Sequence, residues 1–88
     1  MAKDKRYNTV KMLMEAGKIS TIEELIEIVP KSIVAKDLNL HYYQFLAKMK
    51  KPALFSIEEL VTLADKIEID RMKIITPVVV GAKKKNDH

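Results

Sequence analysis

The sequence has no cysteine. That excludes a disulfide framework, a thiolate zinc site and a cysteine nucleophile together. It has only two imidazoles, His41 and His88, and neither has a partner at a spacing that marks catalysis or metal binding. With only two glycines there is no glycine-rich loop to cradle a phosphate. No apolar run is long enough to cross a bilayer, and Pro77 and Gly81 interrupt the best of them. The opening MAKDKRYN is charged and lacks the apolar stretch of a secretory signal. These absences predict a soluble, cytoplasmic, non-catalytic protein that needs neither cofactor nor metal. Arginine is scarce as well: none occurs between Lys31 and Lys51.

What remains is enough for one core. At 88 residues a chain buries roughly 60% of its unfolded surface, so a single domain is expected. Charge alternates along it in blocks. Residues 1–18 carry +3, 19–30 carry −3, 31–52 carry +4, 53–70 carry −4 and 71–88 carry +4. The block 31–52 is thus basic between acidic neighbours, which attracts a polyanion to one face and repels it from others. Ordinary solvated helix faces give similar blocks, so charge alone does not choose between the two readings.

Periodicity predicts helices throughout and no strand alternation, hence an all-α fold: a compact bundle of about five short helices. Residues 1–6 are expected to fray. Tyr7, Val10, Leu13 and Met14 fall on one side of a helix that ends at Gly17, where a left-handed residue is wanted. Ser20-Thr21-Ile22-Glu23 has the form of a capping box opening a helix that runs to Val29 and stops at Pro30. The stretch PKSIVAKDLNLHYYQFLAKMKKP, residues 30–52, predicts two short helices, about 31–38 and 42–50, joined by a tight turn at Asn39-Leu40-His41. Asparagine tolerates the positive φ that such a turn uses. Ala53-Leu54-Phe55 is expected to be pinned to the core. Ser56-Ile57-Glu58-Glu59 is a second capping box, opening a helix with Ile57, Leu60, Val61, Ala64 and Ile67 inward and Leu63 at the edge. Asp70 is placed to cap a last short helix that Thr76-Pro77 breaks. Val78 to Val80 are then extended or lie on the core, and KKKNDH is a disordered basic tail. The domain is accordingly expected over 7–77, with 78–88 flexible.

The 31–70 region resembles the phage-repressor and Cro-like (Xre) helix-turn-helix family. Val34-Ala35, Lys36-Asp37 and Leu38-Asn39-Leu40 are similar to its pattern of leucine–alanine, two polar residues, then leucine–glycine–apolar. Phe45 falls at the buried position of the recognition helix, and SIEELVTLADKIEID is similar to the family's following helix. Three departures stand out. Asn39 replaces the turn glycine. Lys48 occupies the second buried position, which Met49 can fill if the helix is shifted by one residue. An extra segment, Lys18 to Pro30, precedes the pair. Either that segment is an insertion, or Ile22–Val29 is the family's first helix and 7–16 an extension. The second choice keeps the family's order and is preferred.

The resemblance implies a lambda-repressor-like fold and sequence-specific binding of double-stranded DNA by a dimeric transcriptional regulator, with helix 42–50 in the major groove. Its N-terminal side chains His41, Tyr42, Tyr43 and Gln44 are then the candidates for base contact, Gln44 because an amide can both donate to and accept from adenine. Tyr43 can meet a thymine methyl or a phosphate. Lys48, Lys50 and Lys51, with Lys31 and Lys36 from the preceding helix, are candidates for phosphates. The apolar segment 69–80 is the candidate homodimer surface. Each residue also has a plainer role: Tyr42 as a core edge, His41 as a solvated turn residue, Gln44 as surface filler, the lysines as solubilising charge. The alternative function is a helix-turn-helix-shaped module for protein–protein interaction that does not read DNA, motivated by Lys48 and by the missing arginine, the preferred guanine reader.

Overall fold

The computed structural model describes the backbone of residues 4–86 and the side chains of residues 4–79. Among these residues there are six α-helices, one 3-10 turn and no strand. The helices are α1 (Arg6–Glu15), α2 (Ile22–Leu25), α3 (Lys31–Asp37), α4 (Tyr42–Lys50), α5 (Ile57–Ile67) and α6 (Met72–Asn86), with the 3-10 turn at Pro52–Leu54. The all-α bundle is as expected, with one helix more than the five anticipated. None of the described helices is long and apolar enough to cross a membrane.

The first helix is tied down at its start. The Asp4 carboxylate accepts from the Arg6 backbone N–H at 2.9 Å and from its guanidinium at 2.8 and 2.7 Å. These bonds hold the Asp4 carboxyl down at about 2. Of residues 1–6, expected to fray, residues 1–3 lie outside the described residues. Tyr7, Val10 and Met14, one helical face, enter the core. At the far end Gly17 takes φ +73°. Its N–H donates to Met14 O at 3.1 Å and that of Lys18 to Leu13 O at 2.8 Å, a Schellman closure.

Local capping chemistry places α2, though one residue later than Ser20 suggests. Thr21 is the cap. Its hydroxyl accepts from Glu24 N–H at 3.2 Å, and the Glu24 carboxylate accepts from the backbone of Ser20 and Thr21 at 2.9 and 3.2 Å. Both Ser-x-x-Glu23 and Thr-x-x-Glu24 satisfy the pattern, and burial of Ile22 and Leu25 selects the second. Only the first turn is α-helical. The chain then tightens, with Ile28 N–H donating to Leu25 O at 2.9 Å, and reaches the buried Val29 before Pro30.

Helix α5 opens with the expected box: Glu59 N–H donates to the Ser56 hydroxyl at 3.0 Å and Ser56 N–H to the Glu59 carboxylate at 2.9 Å. Its buried face is Leu60, Leu63, Ala64 and Ile67. That face is turned from the expected one: Leu63 lies fully inside and Ile57 is exposed. The rotation lets α5 pack against both α1 and α6. Leu54 is also exposed, so of the apolar linker only Phe55 is pinned to the core.

Helix α6 departs most from expectation. Asp70 caps it, accepting from Met72 N–H at 2.9 Å, but Pro77 lies inside a helix that continues to Asn86. A proline in a helix interior costs about 3 kcal/mol through a lost hydrogen bond and a clash. Here Ile74 is buried before it and Ile75 and Val78 pack on the core around it, against α5 and the 3-10 turn. That burial outweighs the local penalty. Of the two expectations for 78–80, lying on the core holds for Val78, while residues 87–88 lie outside the described residues.

Candidate nucleic-acid interface

The pair α3–α4 is built around one turn. Leu38 is buried at the end of α3, Asn39 takes φ +59°, and Leu40 folds back half-buried. Asn39 N–H donates to Lys36 O at 3.0 Å and Leu40 N–H to Ala35 O at 2.9 Å, the same closure that Gly17 makes after α1. Residues 31–50 are therefore two helices, not one rod. His41 then turns extended as the cap of α4. Phe45 has no exposed surface and lies edge-on to Phe55, ring centroids 6.0 Å apart at 63°. It anchors α4 and sets which side faces out.

The brace behind this pair is α1. Tyr7, buried in the core, donates its hydroxyl to the Asp37 carboxylate at 2.7 Å, linking α1 to the last turn of α3. Burial, and then the adjacent carboxylate, push the Tyr7 hydroxyl well above its ordinary value, so it stays a donor. Helix α1 also packs on α5, which in turn contacts α3. Helix α1 is an integral core helix, whereas the intervening α2 is one short turn.

With Phe45 inward, Tyr43 stands out at 82% exposure, and Ala47 and Lys50 continue the same outer strip one and two turns on. Tyr42 is less exposed and meets Tyr43 edge-on, centroids 5.9 Å apart. His41, Gln44, Lys51, Lys31 and Lys36 are also exposed. Eight of the nine candidate residues therefore reach solvent on or beside the α3–α4 pair.

Lys48 is the ninth, and it is half-buried. It faces α5, where its ammonium meets both oxygens of Glu59 at 2.7 and 2.8 Å, with the two side chains 22% and 17% exposed. The inward flank of α4 that carries it also carries Met49, which packs on the core. An ion pair thus fills the place where the resembled family has an apolar residue, and nothing local in the sequence marked Glu59 as its partner.

This pair has a pH signature. Burial alone raises the Glu59 carboxyl, but the Lys48 ammonium and the Ser56 amide outweigh it and hold the group below its ordinary 4.5. A carboxyl so depressed stabilises the fold above its unfolded value, and that stability is lost as pH falls through the lowered one. Replacing Lys48 by methionine keeps the aliphatic packing and is expected to lower stability at pH 7 by about 1 kcal/mol, the upper end for a surface pair. The gap to the unchanged protein should close as urea unfolding is repeated at pH values falling below the ordinary carboxylate range. A gap independent of pH would rule out the pair as its source.

Gln44 has a structural role that its sequence position did not reveal. Its Oε1 accepts from the His41 backbone N–H at 3.1 Å, closing the first turn of α4. A bidentate contact to adenine needs both the oxygen and the amine. The oxygen keeps a second lone pair for that contact while the cap bond holds.

Two hollows flank α4. One, of about 530 Å³, lies at the turn and includes Lys36, Asn39, His41 and Tyr42. The other, of about 560 Å³, runs between α2 and α4. Ile26, Leu46, Ala47 and Met49 give it an apolar lining, Tyr43 adds to it, and Glu23, Lys31 and Lys50 supply charge. Ile26 and Ala47 were not among the candidates, since neither carries a polar group. No protein-family model matches this sequence, and no curated protein or solved structure matches it either.

Proposed function

We propose that this chain is a small cytoplasmic DNA-binding protein, a transcriptional regulator or phage-type repressor, that lays α4 in the major groove of duplex DNA. The reading is supported above all by the exposure of Tyr43 at the start of α4 while Phe45, two residues on, is wholly buried. A short helix held from behind, with Tyr43 and Ala47 exposed on its outer side and lysines near both ends, has the form that groove docking uses. Lys31 and Lys36 on α3 and Lys50 and Lys51 at the end of α4 are the phosphate-contacting set. The resemblance to the Xre family points the same way. No catalytic role is assigned to any residue.

A unit of this size makes few base contacts, so two copies on half-sites about one helical turn apart are part of the reading. The second copy is assigned to α6, where Met72 and Val79 are exposed and Ile75 is half-buried.

The test is selection of sites from random duplexes, followed by titration with salt. Binding through these lysines is expected to give a log–log slope of about −0.9 per neutralised phosphate. Absence of duplex binding by folded, micromolar protein at low salt ends the reading. A second reading, an interaction module that does not read DNA, is favoured by the engagement of Lys48 with Glu59. It predicts that same absence.

A further inference from the structure

We propose that two copies of this chain associate by seating an apolar knob at the entry to α5 of one copy in the hollow between α2 and α4 of the other. The proposal does not rest on DNA binding.

The knob is Leu54 and Ile57, which flank the buried Phe55 and are 53% and 58% exposed. The backbone under them is already held. Phe55 packs edge-on to Phe45, and Ser56 and Glu59 close the first turn of α5 with two hydrogen bonds. Covering a knob so fixed costs little further ordering. Val61, one helical turn after Ile57 and half-buried, continues the same apolar strip. None of these exposed apolar surfaces is needed for the caps, and the core face of α5 is elsewhere, at Leu60, Leu63, Ala64 and Ile67.

The complement is the hollow of about 560 Å³, with Ile26, Leu46, Ala47 and Met49 in its lining. Charge decides which occupant it takes. Lys31 and Glu23 both line it, so a purely acidic partner is repelled by one and a purely basic partner by the other. The knob carries both signs: Lys51 lies three residues before Leu54, Glu58 follows Ile57, and both are exposed. Glu58 is then placed to meet Lys31 of the second copy, and Lys51 to meet its Glu23. The alternating charge blocks of the sequence thus acquire a use as a self-complementary pattern.

Knob and hollow also lie side by side. Lys50 lines the hollow, and Leu54 follows it by four residues. Two copies related by a two-fold axis can therefore each give a knob and receive one, which closes the assembly at a dimer. This surface is separate from α6. Tyr43 and Lys31 also line the hollow, so a chain paired in this way has part of its proposed DNA face covered.

The test is analytical ultracentrifugation of the full chain without nucleic acid. A contact of this kind belongs with small, transient interfaces, so the range extends to about 1 mM. The chain is expected to form a dimer that weakens severalfold as salt is raised to about 0.5 M. Ile57→Ser removes the knob and Ala47→Glu fills the hollow. Both positions are exposed, so both variants should stay folded. Each is expected to weaken association about tenfold or more. A mixture of the two retains one intact knob and one intact hollow and should associate more strongly than either variant alone. Glu58→Lys and Lys31→Glu should each weaken the dimer, and the double variant should recover it. A chain that stays monomeric throughout overturns the proposal. So does a dimer indifferent to Ile57→Ser and Ala47→Glu, which would belong to α6 instead. Failure of the mixture or of the charge-swapped variant to recover association overturns it as well. None of these outcomes bears on whether the single chain binds a duplex.

Discussion

Phe45→Ala is expected to remove about 3–5 kcal/mol of stability, a large share of the total. The phenyl ring has no exposed surface and is the only fully buried side chain of α4. Truncating a buried phenylalanine costs about 3–5 kcal/mol, through lost transfer energy and the cavity left behind. At roughly 0.05–0.15 kcal/mol per residue, the whole stability of a chain this short is only about 4–13 kcal/mol. The edge contact with Phe55 is lost too, and with it the tie between α4 and the segment entering α5. Nine residues cannot hold a helix alone, so the outward strip of α4 is lost with its anchor. Urea unfolding at 25 °C followed by circular dichroism gives the measurement. Phe45→Leu, which keeps most of the volume, should lose less than about 1.5 kcal/mol. Tyr43→Ala, two residues away but exposed, should change stability by less than about 0.5 kcal/mol. If Phe45→Ala costs no more than Tyr43→Ala, α4 is not seated as described.

The contrast between those neighbours was legible in the sequence, as was most of the local chemistry. Gly17 and Asn39 both take positive φ where the spacing demanded it. The Ser56–Glu59 box and the Asp70 cap are where short-range rules put them. Positions decided by distant partners were not legible. Thr21 rather than Ser20 caps α2 because Ile22 and Leu25 are the pair that reaches the core. Glu68 takes φ +64° at the end of α5, a conformation no sequence rule assigns to glutamate. Pro77 stays inside α6 because Ile74 and Val78 are packed on the core. The candidate site divides along the same line. Exposure of Tyr43 and the lysines follows from one buried phenylalanine and helical geometry. The Lys48–Glu59 pair and the Tyr7–Asp37 bond join residues far apart in the chain, and periodicity carries no information about either.

Reversing two charges, Lys36→Glu with Lys51→Glu, is expected to weaken duplex binding by roughly a thousandfold near 50 mM salt. Lys36 lies in the last turn of α3, in the hollow that also holds His41 and Tyr42, and Lys51 caps the far end of α4. The two therefore bracket the helix that the DNA-binding reading puts in the groove, one at each end. A unit pair at about 4 Å is worth about 1 kcal/mol even at the dielectric constant of water, and changing attraction to repulsion doubles the difference. Two such changes amount to about 4 kcal/mol, or three decades of affinity. Each lysine also sits near the C-terminus of a helix, where a positive charge contributes a few tenths of a kcal/mol to about 1 kcal/mol, so the variant should melt slightly earlier and remain folded. Raising salt to about 0.5 M should shrink the difference, since exposed charges are then screened within a few ångströms. Lys48→Met, which removes a charge of the same sign from the same helix, should leave the salt slope unchanged, because Glu59 already occupies that ammonium. An equal loss of affinity from Lys48→Met would mean that overall charge, rather than the outward face of α3 and α4, governs binding.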